Sequence, residues 1–242
     1  MTQSRTEAIR AVPGSEADGG EFSGHLVLPD SGSGPGLLVV QEIFGLSPYI
    51  EAVCERVAQM GYVALAPDLF WRLEPGVAID EQDPDALQRG LGYRQRLDFE
   101  KAVEDAVAAL GHLRNLPEVA GGRAGVMGFC LGGGISYRVA AAADPDCAVS
   151  YYGSDIPPSV GLAGEISCPI LFHFGLADQF LTLDGQEVIR SAFSGRPEAE
   201  FHEHPGANHA FDNFNSPMFH HAEASARAWE QTQAFLRAKL PV

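Results

Sequence analysis

The sequence predicts an α/β protein built on a mostly parallel central sheet with helices on both faces. Three observations carry that expectation. Short, continuously apolar runs rich in β-branched residues recur along the chain, segments with apolar residues three and four apart separate them, and Gly, Pro and Asp mark most junctions. Their alternation is that of βαβ units, whose crossovers are right-handed. A chain of 242 residues can bury a sizeable core, and one α/β domain over 21–242 is expected. It follows a loosely ordered start over 1–20, rich in Gly, Ser and acidic residues and lacking the apolar core of a secretory signal.

The first strand is predicted at 35–43 ("PGLLVVQEI"), opened by Pro and Gly, and the first helix at 49–61, whose apolar residues keep helical spacing up to Gly61. A buried strand at 62–70 comes next. The polar excursion 71–90 then leads to a helix over 98–117, whose apolar positions recur at three and four. Residues 124–130 and 131–143 repeat strand and helix. Strands follow at 147–153 and 168–175, then a helix around 185–193, a strand at 199–206 and a last helix at 220–240.

Composition excludes several function classes. No apolar stretch approaches the roughly 20 residues a membrane helix needs, so neither a membrane span nor a membrane partner is expected and the cytoplasm is the default location. Sixteen Lys and Arg against 32 Asp and Glu give a formal charge of −16, which repels a phosphate backbone and argues against nucleic acid. Cys54, Cys130, Cys147 and Cys168 have no CxxC spacing and read as free thiols. Nothing specifies an oligomeric state, and a monomer is the expectation.

Ligands of open α/β sheets bind at the carboxyl ends of the strands. Those ends deliver Glu42, Asp68, Cys130, Tyr151, Tyr152, Asp178 and His209. Gly128-Phe129-Cys130-Leu131-Gly132 matches the G-x-S-x-G nucleophile elbow with cysteine in the serine position, between a predicted strand and a predicted helix. Small flanking residues let strand and helix pass closely while the central residue takes a strained conformation. A sulfur there sits at a helix N-terminus, which favours thiolate, and the Leu131 N–H points where an oxyanion would form. Asp178 and His209 complete the order nucleophile, acid, base; Asp178 orients His209, and His209 pairs with Cys130. The plain alternatives are a buried structural cysteine, a turn aspartate and a surface histidine, each weaker once the three are taken together.

"QEIFG" (41–45), "APDLF" (66–70), "GFCLGG" (128–133), "YYG" (151–153), "GLAD" (175–178) and "GANHAF" (206–211) together make the chain resemble the dienelactone hydrolases, or carboxymethylenebutenolidases, of the α/β-hydrolase fold. The resemblance runs from about Glu21 to the last helix. It implies a cysteine-dependent hydrolase of lactones or activated esters, with a small-molecule ester or lactone as partner and no metal or organic cofactor. Cys130, Asp178 and His209 would be its catalytic triad, and the Ile43 and Leu131 N–H groups its oxyanion hole. Glu42 would be a carboxylate that contacts the resting thiol and moves when substrate binds, disfavouring thiolate until then.

The chain also departs from that family. A family arginine that helps hold the substrate carboxylate, four residues after the catalytic histidine, is here Asn213; a second falls where Leu87 or Arg89 stands. An amide lacks the bidentate, charge-assisted grip of a guanidinium, so the anion clamp is weakened. Phe44, Tyr151 and Asn213 are the expected substrate-binding residues, with core packing the alternative for the two aromatics. His202 and His204 alternate onto one strand face and His220 and His221 open the last helix, but no third metal ligand stands at a telling spacing. Rival readings keep the fold: a non-catalytic small-molecule-binding protein, a general carboxylesterase not acting on dienelactone, or a thiol peptidase or redox protein.

Overall fold

The computed structural model describes residues 2–11 and 20–242. Eight strands form one sheet: β1 (Gln3–Arg10), β2 (Glu21–Leu28), β3 (Gly34–Val40), β4 (Val63–Pro67), β5 (Val119–Phe129), β6 (Ala148–Tyr151), β7 (Ile170–Gly175) and β8 (Ala199–His204), in the order β1-β2-β4-β3-β5-β6-β7-β8. The β1–β2 and β2–β4 pairs are antiparallel, and every other pair is parallel. The helices are α1 (Pro48–Gln59), α2 (Ala86–Arg96), α3 (Phe99–Arg114), α4 (Leu131–Ala143), α5 (Leu183–Ala192) and α6 (Ala222–Lys239), with a 3-10 helix at Pro157–Glu165. This is the α/β-hydrolase arrangement.

Strand alternation divides the core between the two faces of the sheet. Leu37 and Val39 of β3 join α1 and α6 on one face, through Tyr49, Ile50, Val53, Val57, Ala228 and Phe235. Leu38 and Val40 join α3, α4 and α5 on the other, through Ala106, Ala109, Leu110, Leu113, Ile135 and Ile189. In α3 the buried positions Ala102, Val103, Ala106, Ala109, Leu110 and Leu113 recur at three and four, and Asp98 caps the helix by accepting from the Lys101 N–H at 3.2 Å. The central strands are buried on both faces, so their sequences read as unbroken apolar runs.

Two expectations are corrected. Residues 1–20 were expected to be loosely ordered, yet Gln3–Arg10 pair residue for residue with Glu21–Leu28 as an edge strand. Their side chains are mostly exposed and polar, so no apolar signal advertised them, and backbone pairing does the ordering. Residues 12–19 of that segment lie outside the described residues. The excursion 71–90 also closes into a helix, α2 beginning at Ala86; Gly90 and Gly92 hid it, and Gly90 is used because a Cβ there would lie 3.0 Å from the Ile43 carbonyl oxygen. That contact lays α2 across the loop that follows β3.

Candidate active site

The β5–α4 junction is as tight as its glycines imply. Cys130 has φ 53° and ψ −115°, a left-handed conformation costly for a residue with a side chain. A Cβ on Gly128 would lie 2.0 Å from the Gly132 carbonyl oxygen, and one on Gly132 would lie 2.2 Å from that of Val40. Only hydrogen fits at either place, so the strand and α4 close around Cys130 and push its sulfur above the sheet. Leu131 opens α4, and the first N–H groups of a helix have no intrahelical partner.

Asp178 stands in the turn after β7. Its Oδ1 accepts from the Phe180 and Leu181 N–H groups at 2.7 and 2.9 Å, which leaves Oδ2 to face His209 Nδ1 at 2.8 Å. His209 follows β8, and its Nε2 lies 3.0 Å from Cys130 Sγ. Burial alone would lower the His209 pKa. The charge of Cys130 and the hydrogen bonds with Asp178 and Cys130 outweigh it and push the value up to about 10. The structure thus brings Cys130, His209 and Asp178 from three separate strand ends into one hydrogen-bonded line.

A residue that sequence reasoning missed fixes the acid turn. Gln186, fully buried on α5, donates to the Gly175 and Leu181 carbonyls at 2.8 and 2.9 Å and so ties both ends of the Asp178 turn to the helix. Gln186→Leu removes a donor from both carbonyls and leaves that of Leu181 without one, the Gly175 carbonyl keeping the Asp178 N–H, and urea unfolding is expected to show a loss of about 1–3 kcal/mol.

Glu42 is buried at the end of the β3 run, with Oε2 accepting from Asn213 Nδ2 at 2.6 Å; among the described residues its Oε1 has no partner. Burial pushes its pKa up to about 8, against the opposing Asn213 hydrogen bond. Glu42 and Cys130 both line the active cavity; Asn213 hydrogen-bonds to the carboxyl, and the thiol hydrogen-bonds to His209. The expectation that Asn213 binds substrate is corrected, since Asn213 is fully buried and its oxygen also accepts from the Asn215 and Ser216 N–H groups. Tyr151 is corrected too. It is fully buried beside Phe129 and His173, with its hydroxyl 2.6 Å from Thr232 Oγ1. Its neighbour Tyr152, held at φ 41°, is the one whose ring meets His209.

A cavity of about 150 Å³ opens onto Cys130 and His209. Ile43, Phe44, Leu87, Leu91, Leu131, Phe180 and Phe219 give it apolar walls. Of the pair Leu87 and Arg89, Leu87 lines the cavity and Arg89 pairs outside with Asp83 and Asp85. Arg94 and Asp155 also line it. The sequence holds a signal for Arg94, three and seven residues beyond Leu91 and Leu87 on one helical face, which Gly90 and Gly92 mask.

The other titratable candidates are placed elsewhere. His204 is buried against His173, and His221 caps α6 by accepting from the Ala224 N–H. Among the described residues no group of three or more His, Cys, Asp and Glu is disposed to hold a metal ion, and no helix is long and apolar enough to cross a membrane. Burial raises the thiol pKa of Cys54, Cys147 and Cys168, so these three are inert packing residues.

Known proteins resemble the chain in sequence and in fold. The model of the dienelactone hydrolase family matches residues 22–240. A carboxymethylenebutenolidase of a Pseudomonas species is 37% identical over 224 residues, covering 93% of each chain. Carboxymethylenebutenolidase 1 of Cupriavidus pinatubonensis is 33% identical over 215 residues, 88% of this chain and 91% of its own. The crystal structure of a dienelactone hydrolase from Anabaena variabilis shares the fold, with a TM-score of 0.71 at 19% identity over 98% of this chain and 99% of that one.

Proposed function

The chain belongs to the dienelactone hydrolase family, hydrolases of esters or lactones, and from that membership we propose that it works through a thioacyl-enzyme on Cys130, with His209 as base and Asp178 as orienting acid. The observation that carries this reading is the continuous line from Asp178 Oδ2 through His209 to Cys130 Sγ, with contacts of 2.8 and 3.0 Å, opening on an apolar cavity.

The proposed chemistry has two halves. The Cys130 thiolate, charge-balanced by the His209 imidazolium, attacks the acyl carbon, and the Ile43 and Leu131 N–H groups stabilise the oxyanion. The C–O bond breaks, His209 protonates the leaving alkoxide, and a thioester remains; in a lactone the freed alcohol stays attached to the acyl group. Water then gives a proton to His209 and attacks the thioester, releasing the carboxylic acid and restoring the thiolate and imidazolium. Asp178 holds the ring tautomer and stabilises the imidazolium throughout. A thiolate is a good nucleophile but also a good leaving group, which suits activated esters and strained or conjugated lactones better than amides.

The names of the curated relatives specify a butenolide bearing a carboxymethylene group. Asn213 is engaged with Glu42 and offers such an anion no cation.

Rapid mixing with p-nitrophenyl acetate tests the intermediate. The expected result is a burst of about one p-nitrophenolate per protein, with an acetyl adduct on the peptide containing Cys130 in acid-quenched samples. A linear time course with no adduct on that peptide overturns the thioacyl reading.

A further inference from the structure

Among the described residues that line the active cavity, Arg94 is the one guanidinium or ammonium, and it is not free. Its Nη2 donates to Asp155 Oδ1 at 2.5 Å, the two side chains being 32% and 25% exposed. Both partners are built in. Asp155 follows β6, its carbonyl accepts from Ser159 Oγ at 3.0 Å, and it lies over α4 where a Cβ on Gly134 would come within 2.8 Å of its own Cβ. Arg94 stands on α2 with its guanidinium 5.3 Å from the centre of the Phe99 ring. The pair therefore joins the helix over one side of the cavity to the loop on the other.

Such a wall carries no net charge, yet it places a fixed carboxylate inside a small apolar cavity. A substrate carboxylate arriving there must either displace Asp155 from a short, charge-assisted bond or lie beside it against like-charge repulsion. A formal charge of −16 on the whole chain opposes anions at longer range as well. An alkyl or alkenyl acyl group meets instead the side chains of Leu87, Leu91 and Phe44.

We propose that the Arg94–Asp155 pair makes this site selective for uncharged substrates, so that it takes neutral esters and lactones with compact apolar acyl groups and rejects those bearing a carboxylate. The inference rests on the hydrolase reading above and names its substrate class. Asp155 is then a specificity residue acting on charge, and Arg94 the cation it cancels.

The test compares kcat/KM for p-nitrophenyl hexanoate and mono-p-nitrophenyl adipate, acyl chains of equal length that differ in a terminal carboxylate, at fixed ionic strength. The protein is expected to favour the hexanoate by about tenfold or more. Asp155→Asn frees the cation and is expected to move the ratio about tenfold toward adipate, and Arg94→Met, which leaves Asp155 uncancelled, to move it the other way. The proposal is overturned if the unmodified protein hydrolyses the adipate ester as fast as the hexanoate, or if the ratio stays within about twofold in both variants. The first arm needs no variant to fold. Undiminished hydrolysis of both esters by Cys130→Ala would sink the hydrolase reading instead, whatever the charge preference.

Discussion

Cys130→Ala is expected to lower kcat/KM for p-nitrophenyl acetate by about 10⁴-fold or more, and Asp178→Asn by about 10³-fold, with both variants folded. The alanine loss removes the attacking atom. Asp178→Asn is the more informative change, because its effect follows from hydrogen-bond directions. The Phe180 and Leu181 N–H groups demand an acceptor at Oδ1, so the asparagine oxygen must stay there and its NH₂ must face His209 Nδ1. The ring then has to accept at Nδ1 and carry its proton on Nε2, toward the sulfur, where it cannot act as a base. The imidazolium loses its partner as well, and the hydrogen bond that helps raise the His209 pKa disappears. Steady-state kinetics across pH checks both, with circular dichroism as the folding control. An Asp178→Asn variant within about tenfold of the unmodified protein would mean that His209 is oriented by something else.

The chemistry-bearing residues were legible because the fold places them at strand ends. The elbow was readable from its glycines, since only Gly fits at 128 and 132 against the Gly132 and Val40 carbonyls. The order Cys130, Asp178, His209 was readable because Cys130 and Asp178 each follow an apolar run and His209 follows the next strand candidate, 199–206. What stayed hidden was hydrogen-bond partnership. Glu42 and Asn213 stand 171 residues apart and meet at 2.6 Å, and no local pattern announces that a residue in a substrate-binding position has turned inward to hold a carboxyl. The tyrosine pair shows the same limit. Tyr152, at positive φ, packs its ring on His209, while Tyr151 packs beside Phe129 and His173. Edge strand β1 was missed because its stability comes from backbone pairing, which leaves no mark in hydropathy, and α2 because two glycines and a polar face masked its three cavity-lining positions.

Glu42→Gln is expected to change how stability depends on pH. The Glu42 pKa is raised from 4.5 to about 8, chiefly by burial. A carboxyl with a raised folded pKa keeps its proton in the native state while the unfolded chain gives it up, so the unfolded state binds fewer protons between those values. Stability from this group is then fully present below about pH 4.5 and is lost as pH rises toward about 8. Glutamine has no proton to lose. Relative to the unmodified protein, the variant should therefore gain stability with each pH unit across that window, by at most about 1.4 kcal/mol per unit and about 2–4 kcal/mol in total once local relaxation is allowed. Any fixed cost of burying the extra amide donors shifts the comparison at every pH without altering its slope. Urea unfolding of both proteins at pH 5 and pH 8 reads the difference directly, and parallel pH profiles would show that Glu42 is ionised throughout. The same proton state bears on catalysis. On the proposed mechanism, a Glu42 carboxyl that burial keeps protonated would not oppose a thiolate at Cys130. Above about pH 8 the ionised carboxylate would share the cavity with the thiolate, and kcat/KM should fall there in the unmodified protein more steeply than in Glu42→Gln.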